Sequence, residues 1–171
     1  MKVYKCVFSG DELCSDSYPH LVPFDDDAFK DVAFEVKGTR VTKAAEDFGI
    51  ADNSEEGEGG VEDAAETVID IINAFHLSET SLTKKDFTTY IKGYLKRVVD
   101  YLQEHNPSRV EAFKTESAAL VKKILGSFDD FQFFMSESND FEASLVYAYY
   151  KDEETAPRFI YLKDGLKEEK Y

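Results

Sequence analysis

The sequence predicts an α+β fold, mainly β, with an antiparallel helical hairpin inserted between two groups of strands. Three observations predict it. Short runs of β-branched and aromatic residues stand at both ends of the chain, whereas in residues 83–125 apolar residues recur at three- and four-residue steps. Asn106-Pro107 divides that stretch into two helices whose connection is too short for any but an antiparallel arrangement. The charge also changes sign there: residues 83–125 carry nine Lys and Arg against five acids, a net of +4, while the remainder carries eleven against thirty and the whole chain −15.

Taken in order, residues 1–8 read as a strand through Val3, Cys6, Val7 and Phe8, Ser9-Gly10-Asp11 as its turn, and residues 11–18 as a short returning strand. Pro19 and Pro23 then break the strand pattern. Asp25-Asp26-Asp27 reads as an acidic cap on a short helical turn, and it lacks the spacing, glycine and final Glu of an EF-hand. Residues 32–36 alternate as a strand. Residues 38–66 hold five of the nine glycines and, from Glu46 onward, nine acids and no base. Such a segment buries too little apolar surface to offset its ordering entropy and is expected to be a mobile acidic loop. Residues 62–75 are ambiguous, because Glu62 to Glu66 favour helix and Val68, Ile69, Ile71 and Ile72 favour strand.

In the first helix of the hairpin, Phe87, Tyr90, Ile91, Tyr94, Leu95, Val98 and Leu102 share one face, with Lys92, Lys96 and Arg97 on the other. Asn106 is the expected N-cap of the second helix, Pro107 its first residue, and Gly126 its left-handed exit. Val110, Phe113, Leu120, Val121 and Ile124 form the second stripe, so the helices bury their stripes against each other or against another part of the chain. The excess of bases makes the hairpin a basic arm on an acidic body, able to steer an acidic partner. The alternative is an ordinary solvated helix face. Three aromatic-rich strands come next, Phe131–Met135, residues 144–150 and Arg158–Leu162, ending at an Asp164-Gly165 turn; residues 167–171 are charged and expected to fray.

The 171 residues, 43% of them apolar with 14 Phe and 10 Tyr, suit one domain with a real core. A pI near 4.6 argues against nucleic-acid binding, which needs a broad basic surface. Cys6 and Cys14 lack the companions of a zinc site, and reduced thiols are the default in a cytosolic chain. The first ten residues lack a signal-peptide core, no run approaches a membrane span, and Asn53-Ser54-Glu55 and Asn106-Pro107-Ser108 fail the glycosylation sequon. A cytoplasmic protein is the expectation. Catalysis is not: His20, His76 and His105 are scattered, no Ser sits in a Gly-x-Ser-x-Gly setting, and pairs of acids are inevitable in so acidic a chain. Cys14, flanked by acids, is expected to have a raised pKa and to be a packing residue.

Two stretches resemble the translationally controlled tumour protein (TCTP) family. Phe48-Gly49-Ile50-Ala51-Asp52-Asn53-Ser54-Glu55-Glu56 resembles the signature at that family's acidic loop, and Phe131-Gln132-Phe133-Phe134-Met135-Ser136-Glu137 resembles its aromatic run ending in Gly-Glu. Ser136 stands where Gly is usual, which points to an altered turn there. Asp11-Glu12, Thr83-Lys84-Lys85, Tyr90-Ile91-Lys92, Pro107-Ser108-Arg109-Val110 and Lys163-Asp164-Gly165-Leu166 extend the resemblance along the chain.

The resemblance implies a twisted β-tent, similar to a small Rab chaperone but without its zinc, bearing a long loop and a projecting hairpin. It also implies residues 68–75 as a strand. Some members cross-link through a terminal cysteine; Tyr171 ends this chain, so a monomer is expected. By resemblance the function is that of a non-enzymatic multi-partner binding protein with roles in growth and survival. It implies weak calcium binding by the acidic body, with no ligand set identified and no obligatory cofactor, and association with tubulin or microtubules. The basic residues available for acidic tubulin tails are Lys84, Lys85, Lys92, Lys96 and Arg97. An alternative is nucleotide exchange or chaperoning on a Rheb-like small GTPase, through a sheet face near Glu12 and Glu137. A carboxylate there could displace Mg²⁺ or engage the P-loop lysine.

Overall fold

The computed structural model describes residues 2–42, 67–139, 143–151 and 154–170. Within them every strand pairing is antiparallel. One sheet has the order β10-β1-β2, built from β1 Lys2–Cys6, β2 Glu12–Ser15 and β10 Leu166–Lys170. The second, order β3-β9-β8-β7-β6, comprises β3 Ala33–Lys37, β6 Ser78–Thr80, β7 Phe131–Met135, β8 Val146–Tyr149 and β9 Arg158–Leu162. A separate pair joins β4 Arg40–Thr42 to β5 Thr67–Ile69.

Strands β3, β7, β8 and β9 of the five-stranded sheet are buried on both faces, and β7 to β9 accordingly read as nearly continuous apolar runs. Phe34, Val36, Phe134, Val146, Ala148, Phe159 and Tyr161 meet Cys6, Leu13 and Cys14 of the smaller sheet. Ala33, Phe133, Tyr147, Ile160 and Leu162 point the other way, toward the helices. There the hairpin is laid along the sheet: α2 Lys84–His105 buries Phe87, Tyr90, Ile91, Tyr94, Val98 and Leu102, and α3 Val110–Gly126 buries Val110, Phe113, Ser117, Leu120 and Ile124. The expected arm therefore does not project. The Phe87 ring meets Phe133 of β7 at 5.1 Å and Tyr147 of β8 at 6.0 Å, Tyr90 and Tyr94 reach residues 143–145, and Leu102 lies in the same buried cluster.

Polar contacts fix the hairpin in place. The Tyr90 hydroxyl donates to the carbonyl of Ala143 at 2.8 Å and accepts from the amide of Leu145 at 3.1 Å. The Tyr94 hydroxyl lies 2.6 Å from Ser144 Oγ, so close to the chain that a Cβ on Gly165 would fall 1.9 Å from it. Arg109 forks onto Asp164 through Nε at 3.1 Å and Nη2 at 2.8 Å, which removes one of the nine bases from the exposed face.

Further expectations are corrected or narrowed. Residues 167–170 are not frayed, because β10 pairs with β1 along its length and Lys2 and Lys5 meet Glu168 and Glu169 at 3.0 and 2.7 Å. Residues 68–75 are not one strand: after Ile69 the chain turns into α1 Asp70–Phe75. The Asp70 carboxylate takes the amides of Ile71 at 2.8 Å and Thr39 at 3.0 Å, and Ile71 is buried under the small sheet. In the segment expected to be mobile, Arg40–Thr42 is a strand, while residues 43–66 lie outside the described residues. Gly126 is not a left-handed exit; it ends α3, and Ser127 closes the helix at φ −131° with its amide on the Ile124 carbonyl. Asn106 occupies the expected cap position before a 3₁₀ turn, but its side chain accepts the Ser108 hydroxyl in place of a backbone amide.

Candidate functional site

Two surfaces gather the residues that the sequence singles out. The first is the outward side of α2. A capping box starts this helix, with Thr83 Oγ1 accepting the Asp86 amide at 3.0 Å and Asp86 Oδ2 accepting the Thr83 amide at 3.3 Å. Positions 85, 92 and 96 fall opposite the buried stripe at 3.6 residues per turn. Lys84, Lys85, Lys92 and Lys96 are all exposed, and no carboxylate among the described residues forms an ion pair with any of them. Arg97 differs: it is half-buried, with its guanidinium 5.6 Å from the centre of the Phe8 ring.

The second surface is a cleft of about 340 Å³ lined by Lys5, Asp11, Glu12, His76 and Glu137. Gly10, at φ +80°, makes the tight turn that presents Asp11 and Glu12, and Ser136 begins the loop that carries Glu137. The structure thus brings Glu12 and Glu137, 125 positions apart in the sequence, into one cleft as exposed carboxylates. Asp11 joins the two loops. Its Oδ2 accepts the Ser136 hydroxyl at 2.6 Å, the Ser138 hydroxyl at 2.5 Å and the Ser138 amide at 3.0 Å. Burial pushes the Asp11 pKa up, but these hydrogen bonds outweigh it and hold the carboxyl below its ordinary value. Ser136 is buried, and its hydroxyl is the donor that a glycine at that position would lack. The expected difference at the turn is therefore a bond to Asp11. In the sequence Asp11 stands out only as a turn residue and as part of the resemblance at Asp11-Glu12.

A third polar centre has no signature in the sequence. Glu35, 0% exposed in the middle of β3, accepts from Tyr149 Oη at 2.6 Å, Arg158 Nη1 at 2.8 Å and the Phe24 amide at 3.0 Å. Arg158 also forks onto Glu154 at 3.0 and 2.9 Å, so both its carboxylate partners raise its pKa, Glu154 the more. The Tyr149 hydroxyl is pushed up by burial and then by the neighbouring Glu35. This centre ties β3, β8 and β9 together.

The remaining reactive groups are separately engaged. Cys14 is fully buried and its pKa is pushed up to about 12, by burial in place of the expected acidic neighbours. His20 stacks on Phe34 at 3.9 Å, His105 stacks on Tyr101 at 4.1 Å, and His76 ends α1 in the left-handed conformation. Asp26 caps the amide of Ala28 at 2.9 Å and Asp25 pairs with Lys151. No three acids, cysteines or histidines among the described residues converge as metal ligands. No helix among them is long and apolar enough to cross a membrane.

Two packed sheets, one backed by a helical hairpin, with the candidate residues on exposed loops and a helix surface, define a protein of the β-tent class. A family model described as translationally controlled tumour protein matches residues 1–167. Proteins described as translationally-controlled tumor protein homologs from Theileria annulata and Plasmodium chabaudi chabaudi are 53% identical over 173 residues and 52% over 171, each pair covered in full. The solved structure of the translationally controlled tumor-associated protein p23fyp of Schizosaccharomyces pombe superposes with a TM-score of 0.80 at 35% identity, covering 100% of both chains. The chain belongs to the translationally controlled tumour protein family.

Proposed function

We propose that this chain is a non-enzymatic cytoplasmic binding protein that takes acidic segments, the tails of tubulin in microtubules among them, on the basic face of α2. The observation that carries this reading is the set of four exposed ammonium groups, Lys84, Lys85, Lys92 and Lys96, without an ion-pair partner among the described residues of a chain of net charge −15. Basic groups that no carboxylate among the described residues pairs with are open to an acidic partner. Each exposed contact is worth at most about 1 kcal/mol, so the effect is one of number. Changing all four lysines to Glu abolishes co-sedimentation with microtubules, a single change weakens it slightly, and raising salt from ~50 to ~200 mM weakens the wild type. A folded quadruple variant that still co-sediments as the wild type does would overturn the reading.

The cleft at Glu12 and Glu137 favours a second reading, nucleotide release from a Rheb-like small GTPase, because an exchange factor needs carboxylates presented at a surface. Glu12→Ala and Glu137→Ala each slow the stimulated release and leave microtubule binding unchanged. If the wild type at stoichiometric concentration accelerates release from no such GTPase, this second reading is lost. Calcium is proposed as a ligand of scattered carboxylates only, with affinity of ~0.1–1 mM by calorimetry. Micromolar binding resistant to salt would contradict it.

A further inference from the structure

Lys85, Thr89, Gly93 and Arg97 form one i, i+4 row along α2, and such rows are the ridges by which helices engage their partners. At Gly93 the ridge is interrupted. A Cβ built there meets nothing within 4 Å, so no internal packing requires a glycine at a position where it weakens the helix. The gap opens a depression of about 570 Å³ over Gly93, bounded by Leu82, Lys85, Thr89, Tyr90 and Arg97. Its floor is apolar and fixed: the Tyr90 hydroxyl is turned inward onto Ala143 and Leu145, leaving only the ring toward the depression. Arg97 is held over Phe8 on the far side. Lys92 and Lys96 stand on the neighbouring row, exposed. Asp86, the one acid in the lining, is engaged with the amide of Thr83.

We propose that this depression is a docking site for an acidic peptide carrying one apolar side chain, which seats over Gly93 while flanking carboxylates reach Lys85, Lys92 and Lys96. The site rests on the basic-face reading and adds specificity to it. Charge complementarity selects an acidic peptide, and the apolar floor selects one side chain within it. The geometry sets the length: Lys85 to Lys96 spans ~16 Å at ~1.5 Å per residue, which an extended peptide of about five residues matches. An all-acidic segment would satisfy the lysines and leave the floor wet. A segment with leucine at its centre also removes that floor from water.

The test measures binding of two fluorescent peptides, Glu-Glu-Leu-Glu-Glu and Glu-Glu-Ala-Glu-Glu, to the full chain at low salt. The wild type binds the leucine peptide roughly fivefold more tightly, the gain expected from partial burial of the larger side chain. Gly93→Leu fills the depression from within. It raises the thermal midpoint, because a helix-interior glycine is replaced at a position where a Cβ meets nothing within 4 Å, and it reduces the preference to about one while the alanine peptide binds as before. Gly93→Ala gives an intermediate preference. Equal affinities of the wild type for the two peptides would overturn the docking site and leave the basic face intact, and so would a preference that survives Gly93→Leu. If neither peptide binds, the basic-face reading and the docking site fall together.

Discussion

Charge is concentrated in two regions of opposite design. At Glu35 a carboxylate is wholly buried and every contact is internal: Tyr149, Arg158 and the Phe24 amide surround it. Along α2, Lys84, Lys85, Lys92 and Lys96 are exposed and unpaired among the described residues. Charge satisfied within the chain is committed to the fold, because desolvation makes its loss expensive, whereas charge left in water adds little to stability and is available to a partner. Asp11 stands between them. It is half-buried, bonded to neutral donors only, and placed beside the two carboxylates proposed to face a partner.

Glu35 is the costlier of the two charges to remove. Glu35→Ala leaves Arg158 short of one carboxylate and strands the Tyr149 hydroxyl and the Phe24 amide. The expected loss is about 3 kcal/mol by chemical denaturation. It lies at the low end for a broken buried pair because Glu154 still neutralises Arg158. A loss under about 1 kcal/mol would mean that the centre is as dispensable as a surface pair.

Asp11 is expected to show an intermediate effect that depends on pH. Its folded pKa is depressed, so its contribution is present above the unfolded value near 3.8 and is lost as pH falls through the lower folded value. Asp11→Asn therefore costs about 1–2 kcal/mol at neutral pH, with the difference from wild type shrinking below about pH 4. An unchanged gap between the two proteins at pH 3 would show that the loss at neutral pH does not come from the charged form. The same variant tests whether the clasp sets the positions of Glu12 and Glu137, since both loops lose their common anchor.

How much of this could be read from the chain depended on period. The hairpin was legible because Phe87 to Leu102 keep a helical repeat, and the capping box and Asn106-Pro107 mark its limits. Glu35 was not. In Ala33–Lys37 strict alternation puts Phe34 and Val36 inward and Glu35 outward, and only a second covering layer makes the outward face interior. β10 was missed for a related reason, since its charges read as a solvated tail until Lys2 and Lys5 of β1 are placed beside Glu168 and Glu169. Helix α1 depended on Asp70 reaching Thr39, a contact 31 positions away. Of the candidate sites, the lysine face follows from helical spacing, whereas Glu12 and Glu137 came from family resemblance and their common cleft from tertiary structure.

The exposed lysines of α2 lie at the opposite extreme from Glu35. If the lysines of α2 serve partners and not the fold, changing Lys84, Lys85, Lys92 and Lys96 together to Ala should shift stability by less than about 0.5 kcal/mol per site, in either direction. Alanine is the better test of stability than Glu, because it removes charge without adding repulsion from an already acidic body and keeps a strong helix former on an exposed surface. Two small terms oppose each other. Loss of the lysines makes the net charge of −15 more negative by four, which disfavours the compact state slightly, while alanine relieves the cost of fixing long side chains. Salt screens only the first term, so the alanine variant should gain stability relative to the wild type between ~50 and ~500 mM salt. A loss of several kcal/mol that salt does not relieve would mean that the lysine stems cover apolar surface of α2, and that this face belongs to the fold as Glu35 does.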